Sequence, residues 1–154
     1  MTEPAPLDIY NYRAVDALLS TSGQPSEGEL RAVAAHGFHV VINLALHDDP
    51  RYSLPDEAGL VTSLGLTYVH IPVVFTAPTE ADLFEFFAAM DVHRDRRKLV
   101  HCAANKRVSS FVGLHRVIRL GWDEAAAFAL MRDIWGPDPV WTAFIAAMLA
   151  KHRP

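Results

Sequence analysis

The chain has 154 residues, the size of a single domain that can bury most of its apolar side chains in one core. Hydrophobic residues make up 51% and charged residues 21%, a balance typical of globular rather than disordered proteins. The formal net charge is -4 at pH 7, so no basic field exists that would attract nucleic acid or an anionic membrane.

The only cysteine is Cys102, which excludes an intramolecular disulfide and suits a reducing compartment. The N-terminus lacks the basic and apolar regions of a signal peptide, and no run approaches the ~20 apolar residues that span a bilayer. We therefore expect a cytoplasmic protein with no nucleic-acid or membrane partner. Residues 1–9 are rich in proline and are predicted to be disordered, and residues 10–154 are predicted to form the domain.

The predicted elements alternate between helices and strands along the first two thirds of the chain. A turn at residues 22–25 precedes a capping box of Ser26 and Glu29, which opens a helix. In chain order we predict a helix to about residue 36, a strand over 39–44, a helix over 55–64, a strand over 67–73, a helix from the capping Thr79 to about 93, and a strand over 98–101.

The last third is predicted to be helical after a loop. The loop covers residues 102–108, and the predicted helices that follow cover 109–120, 123–135 and 139–151. Alternating strands and helices predict a single α/β domain with a central, mainly parallel sheet flanked by helices. In such sheets ligands bind at the carboxyl ends of the strands, which is where Cys102 lies.

The loop after the third predicted strand has the features of an anion site. Backbone N–H groups converge in a strand–loop–helix turn, and the helix N-terminus adds the positive end of its dipole. This environment favours the thiolate of a cysteine at its base, so we expect Cys102 to be a partly exposed nucleophile. The residues predicted to bind a phosphate-like anion are Ala103, Ala104, Asn105, Lys106, Arg107, Val108 and Ser109. The alternative is an inert core cysteine, which is the commoner role of a lone cysteine among apolar residues.

The string from His101 to Ser109 resembles the signature of the cysteine-dependent protein tyrosine and dual-specificity phosphatases. That signature is His-Cys, five residues, Arg, then Ser or Thr, and here His101, Cys102 and Ser109 match while Asn105 replaces the usual glycine. The wider order of short motifs over residues 10–150 resembles the bacterial dual-specificity-like branch. The resemblance implies a phosphatase fold, hydrolysis of a phosphorylated substrate, no cofactor or metal, and catalytic roles for His101, Cys102, Arg107 and Ser109.

The signature arginine is displaced. Five residues after Cys102 are followed by Val108, so Arg107 comes one position early and valine cannot grip phosphate oxygens. If the loop is one residue shorter, Arg107 takes that place but the match of Ser109 is lost. The serine favours the interpretation in which the arginine is absent.

The aspartate that the resemblance implies as general acid is also missing from residues 74–78. The substitutes that the sequence offers are Asp48 and Asp49, on the loop after the first predicted strand, and Glu80 and Asp82, which are more typical of a helix start. General-acid catalysis is worth about 10²- to 10⁴-fold, so its loss together with that of the arginine would leave little turnover of alkyl phosphates.

Three functions therefore stay open at this point. The first is a weak or atypical cysteine-dependent phosphatase, and the second is a phosphate-binding pseudophosphatase. The third is rhodanese-like sulfur transfer, since that fold also sets a cysteine in an anion-binding loop. The sequence names no substrate and no oligomeric state.

Overall fold

A computed structural model describes residues 7–51 and 53–154 of the chain. The strands are β1 (Arg13–Ala14), β2 (Leu19–Ser22), β3 (Val40–Asn43), β4 (Thr67–His70) and β5 (Lys98–His101). The helices are α1 (Glu27–Ala35), α2 (Glu57–Ser63), α3 (Glu80–Val92), α4 (Lys106–Ile118), α5 (Glu124–Ala127), α6 (Ala129–Ile134) and α7 (Pro139–His152).

The strands form one five-stranded sheet in the order β1-β2-β5-β3-β4. All neighbouring pairs are parallel except β1 and β2, which are antiparallel. The predicted α/β class with a mainly parallel sheet is therefore confirmed. The sequence did not predict β1 and β2, because Leu19–Ser22 is a short polar segment that becomes a buried strand only beside β5.

Helices cover both faces of the sheet. Along β3 the side chains alternate, so that Val40 and Ile42 face a cluster with α3, α4 and α7, whereas Val41 faces a second cluster with α1 and α2. The larger cluster contains Phe86, Phe111 and Trp141, all fully buried. This double burial explains why β3 begins with three apolar residues and why the two central residues of β5, Leu99 and Val100, are apolar.

Local caps set most helix starts where the sequence predicted them. Ser26 forms the capping box with Glu29 at α1, and Thr79 caps α3. Asp138 caps α7, whose first residue is Pro139. The predicted helix over 123–135 is instead two short helices, α5 and α6, which meet at Phe128.

The N-terminal prediction falls only in part on residues that can be described. Residues 1–6 lie outside the described residues. Ile9, which the sequence assigned to a disordered segment, is 4% exposed and packs in the second cluster. Within the described ranges, no helix has the length and apolar character needed to cross a bilayer.

Candidate active site

Cys102 follows β5 directly, at the carboxyl end of the parallel strands, as the sequence predicted. Its backbone N–H donates to Ser22 O of β2 (3.3 Å). The residue is only 1% exposed, so the expected partial exposure is wrong. Cys102 nevertheless lines a cavity of about 810 Å³. The cysteine is thus a buried member of the larger hydrophobic cluster that also borders this cavity.

The loop of residues 103–105 is fixed by hydrogen bonds to its carbonyl groups. Ala103 O accepts from Gln24 N (3.0 Å), and Ala104 O accepts from the Asn11 side chain (3.1 Å). In a trans peptide the next N–H points opposite to the carbonyl. The N–H groups of Ala104 and Asn105 therefore point away from these two partners.

Two asparagines hold the end of the loop. Asn105 has a left-handed backbone (φ 66°), and its side chain donates to Asn11 O and Thr21 Oγ1, both at 2.9 Å. Asparagine tolerates this conformation better than most residues. Because Asn105 turns the chain sharply, α4 begins at Lys106. The sequence had predicted a later start, at Ser109.

This early helix start decides the position of the arginine. Arg107 is in the first turn of α4 and lines the main cavity together with Cys102. Its Nη1 donates to Val73 O (2.8 Å), and its guanidinium carbon lies 5.7 Å from the centre of the Phe75 ring. Val108 is completely buried in the hydrophobic core. The Val108 side chain therefore does not stand in an arginine position beside the cavity, and the arginine that faces the cavity is Arg107, which follows Cys102 after four residues instead of five. Anion binding by the backbone of residues 103–109 stays a prediction.

The other basic and hydroxyl residues of the loop differ in their surroundings. Lys106 lines the cavity, with its Nζ 5.4 Å from the centre of the Trp135 ring. Ser109 is fully buried, and its Oγ donates to Lys106 O (3.2 Å) within the first turn of the helix. In this arrangement the Ser109 hydroxyl satisfies a helix carbonyl and does not face the cavity.

Next to the loop, Gln24, Glu57 and His101 form a buried network of hydrogen bonds. His101 Nε2 donates to Glu57 Oε2 (2.6 Å), and Gln24 Nε2 donates to Glu57 Oε1 (2.7 Å). Burial alone would raise the pKa of Glu57, but the hydrogen bonds and charge of His101, with the Gln24 hydrogen bond, outweigh it and hold the pKa below its ordinary value. His101 Nδ1 is 3.3 Å from Cys102 O. The network therefore fixes His101, which precedes Cys102, and Gln24, whose backbone N–H donates to Ala103 O of the loop.

The acidic candidates separate into two groups. Asp48 and Asp49 line a smaller cavity of about 300 Å³ together with Ala103 and Arg107. Asp49 is paired with Arg51 (2.8 Å), and these hydrogen bonds hold the pKa of Asp49 below its ordinary value, which keeps it ionised. Asp48 is exposed in the same cavity. Of the two, Asp48 is the one that forms no ion pair with any described residue.

Glu80 and Asp82 do not line either of these cavities. Glu80 bonds to Lys151 and His152 of α7, and these hydrogen bonds hold its pKa below the ordinary value. The backbone N–H of Asp82 donates to the capping Thr79. Both acids therefore belong to the start of α3, the structural role that the sequence allowed for them.

Sequence reasoning missed four contributors to this site: Asn11, Gln24, Glu57 and Phe75. Phe75 lies within residues 74–78, where the resemblance implies a carboxylate, and it lines the cavity. Glu57 lies in the first turn of the helix predicted over residues 55–64, where an acid is common because of the helix dipole. Only the contact between residues 44 positions apart shows that it binds His101.

Comparisons with known proteins agree with this geometry. Residues 8–133 match the family model described as DSP-PTPase phosphatase fused to NAD+ kinase. The chain is similar to a crystal structure of a DUF442 protein from Shewanella putrefaciens CN-32, with 33% identity, 96% coverage of both chains and a TM-score of 0.84. The active form of Tk-PTP is similar at 25% identity, covering 92% of this chain and 95% of that one, with a TM-score of 0.72.

A curated relative is much longer. The beta-lactamase hydrolase-like protein of Xylella fastidiosa is 32% identical over 117 residues, which are 73% of this chain and 27% of that protein. The chain therefore spans about a quarter of that relative. With a family match over residues 8–133 and a phosphatase fold around Cys102, the chain belongs to the phosphatase family described as DSP-PTPase phosphatase fused to NAD+ kinase.

Proposed function

We propose that this chain hydrolyses phosphomonoesters through the thiolate of Cys102. Cys102 Sγ would attack phosphorus while the bond to the leaving oxygen breaks, and water would then attack the phosphocysteine and release phosphate and the thiolate. The observation that carries the proposal is that Arg107 lines the same cavity as Cys102, which leaves the site its guanidinium. This supports an active enzyme more than a binder without an arginine.

Two groups of donors would hold the transferring phosphoryl group. The first is the set of loop N–H groups that point away from Gln24 and Asn11. The second is Arg107, which donates one N–H to Val73 O and has further N–H groups in its planar fork. Lys106 adds positive charge at the rim of the cavity.

Asp48 is the residue that we propose as general acid. It shares a cavity with Arg107 and Ala103, and unlike Asp49 it has no arginine partner in the described structure. The cavity of about 810 Å³ has room for a phosphorylated substrate with a sizeable apolar body, which Tyr10, Leu54 and Phe75 would contact. We further propose a cytoplasmic location, because the single cysteine must stay reduced to act.

Hydrolysis of an activated aryl phosphate tests the proposal. Cys102→Ser should abolish turnover, and Arg107→Lys should lower kcat/KM at least ~10²-fold because lysine lacks the bidentate fork. Arg119→Lys is the matched control, since Arg119 is an exposed residue at the other end of α4 and pairs with Asp91. Val108→Arg should add no activity. Equal rates in Arg107→Lys and the parent would refute the role of Arg107.

The general acid is tested separately with two substrates. Asp48→Asn should slow an alkyl phosphate ~10²-fold or more and leave an activated aryl phosphate nearly unchanged, because a phenolate departs without a proton. The matched control is Asp49→Asn, whose carboxylate is held by Arg51. If both variants behave alike on both substrates, Asp48 is not the acid.

Sulfur transfer is a second candidate because of the short loop. Only four residues separate Cys102 from Arg107, so fewer N–H groups surround the sulfur than the phosphatase signature provides. Thiosulfate would transfer its outer sulfur to the thiolate and release sulfite, and cyanide would then remove that sulfur as thiocyanate. Thiocyanate formation that requires Cys102, without phosphate release from aryl phosphates, would favour this function.

A pseudophosphatase is the remaining alternative. It predicts that inorganic phosphate protects Cys102 from iodoacetamide while no phosphomonoester is hydrolysed. The lack of a carboxylate in residues 74–78, where Phe75 faces the cavity, is the feature that favours it.

A further inference from the structure

A separate cavity of about 190 Å³ lies at the opposite end of the sheet from Cys102. It is at the amino ends of β2 and β5, where Leu19 pairs with Lys98, whereas Cys102 follows the carboxyl end of β5. The two cavities share no lining residue among those described. The smaller cavity is therefore not an extension of the candidate active site.

Two buried cations line this cavity, and the charge of Asp16, which also lines it, acts on both. Lys98 is 3% exposed and Arg116 is 9% exposed, and within the described part of the chain neither is within salt-bridge distance of a carboxylate. Lys98 Nζ is already bonded to the carbonyls of Leu18, His93 and Arg96 at 3.1–3.4 Å. A buried cation is stable only when it is paired or well bonded.

The Arg116 guanidinium is the less satisfied of the two. Its carbon lies 4.3 Å from the centre of the Trp122 ring, and none of its N–H groups has a hydrogen-bond acceptor among the described residues. Asp16 also lines the cavity, but its Oδ1 accepts from Leu18 N (2.8 Å) and it forms no ion pair with Arg116. Stacking on an indole is a weaker attraction than a carboxylate provides.

His115, one residue earlier on α4, also lines the cavity. It is 7% exposed, and its Nε2 is buried and has no hydrogen-bond partner among the described residues. Burial is the main cause that lowers the pKa of His115, to about 4, so the ring is neutral at pH 7 and adds no charge. An unpaired guanidinium and an unpaired imidazole nitrogen thus occupy adjacent positions.

Apart from the exposed Arg94, the remaining residues that line the cavity are apolar, and three of them reach the surface. Leu120 is 55% exposed, Trp122 is 42% exposed and Leu18 is 38% exposed, and all three line the cavity. We propose that this cavity binds a small apolar carboxylate, an aryl or short aliphatic acid, whose carboxylate pairs with Arg116 and whose apolar part packs on Trp122, Leu18 and Leu120. The positive charge of Arg116 favours a carboxylate, and the exposed apolar residues favour an apolar group attached to it.

The test uses benzoate as the probe and the whole chain labelled with ¹⁵N. Benzoate should shift the indole N–H signal of Trp122 and the side-chain signal of Arg116, with a Kd of about 1 mM or below, which equals roughly −4 kcal/mol of binding. Benzamide, of the same shape without charge, should bind at least ~10-fold more weakly because it cannot form the ion pair. Cys102→Ser should leave benzoate binding unchanged.

Variants on α4 locate the binding. Arg116→Gln should weaken benzoate at least ~10-fold, whereas Arg119→Gln, which changes an exposed arginine three residues later, should not. The comparison of benzoate with benzamide needs no variant, so it decides the question even if Arg116→Gln does not fold. Equal affinities of the two probes, shifts confined to residues around Cys102, or no binding below about 10 mM would overturn the proposal.

Discussion

At the scale of single residues, the site depends on which charges are buried and how they are paired. Arg107 is 8% exposed and faces the cavity, and Glu57 is fully buried behind the loop. Glu57 accepts hydrogen bonds from both His101 and Gln24, so both of its oxygens are satisfied. A buried carboxylate with two charged or polar donors is stable only as an intact network, and removing one member is costly.

We predict that Glu57→Gln lowers the free energy of unfolding by about 2 kcal/mol at pH 7, because an amide offers one acceptor where the carboxylate offers two. Glu57 has a folded-state pKa below its ordinary value of 4.5. Its contribution is therefore complete above pH 4.5 and is lost as the pH falls through the folded-state value. Urea unfolding at pH 7 and at pH 4 measures this.

The difference between the parent and Glu57→Gln should shrink as the pH is lowered. Glu85→Gln is the matched control, because Glu85 is exposed on α3. A difference between parent and Glu57→Gln that stays constant across this pH range would contradict an ionised Glu57 in the folded protein.

At the scale of elements, β2, the loop after β5 and the start of α4 form one unit. Gly23, directly after β2, pairs with Ala104 of the loop in an isolated bridge. A Cβ at Gly23 would lie 2.6 Å from Ala103 O and 2.7 Å from the Tyr10 ring. The end of β2 can therefore approach the loop only if residue 23 has no side chain.

We predict that Gly23→Ala destabilises the protein by about 1–3 kcal/mol and lowers the rate with an aryl phosphate, because the loop backbone must move to make room. The control is Gly28→Ala in α1, where a Cβ would meet nothing within 4 Å. Alanine should stabilise that exposed helix position by about 0.5–1 kcal/mol. Unchanged stability and activity in Gly23→Ala would show that the bridge does not hold the loop.

At the scale of the whole molecule, α4 connects the site to the C-terminal helices. It begins beside the Cys102 loop, and it contacts α5, α6 and α7 along its length. Gly113, in the middle of α4, lies under the ring of the buried Phe128, which joins α5 to α6. A Cβ at Gly113 would lie 2.2 Å from that ring.

We predict that Gly113→Ala lowers the free energy of unfolding by about 2 kcal/mol, although alanine is the better helix former, because the clash outweighs the propensity gain of about 1 kcal/mol. Urea unfolding measures the loss. Phe128→Leu in the same chain should recover part of it, since a smaller side chain makes room for the methyl group. Additive losses in the double variant would contradict a direct contact.

The sequence by itself determined the fold class, most helix starts, strand β5 and the position of Cys102 at its end. These features follow from local signals, namely capping residues, apolar periodicity and a cysteine followed by small residues, which do not depend on distant parts of the chain. The sequence also identified Asp48 and Asp49 as acids on the same sheet edge, and Arg107 and Asp48 share a cavity.

Only the tertiary structure decided where the loop ends and α4 begins, and which cavity Arg107 faces. A motif count placed Val108 in the arginine position, but the left-handed turn at Asn105 starts α4 at Lys106 and turns Val108 into the core. That turn is held by Asn11 and Thr21, which are 94 and 84 positions away. Contacts over such distances leave no local pattern in the sequence, and the same is true of β2, a polar segment that becomes a buried strand through its pairing with β5.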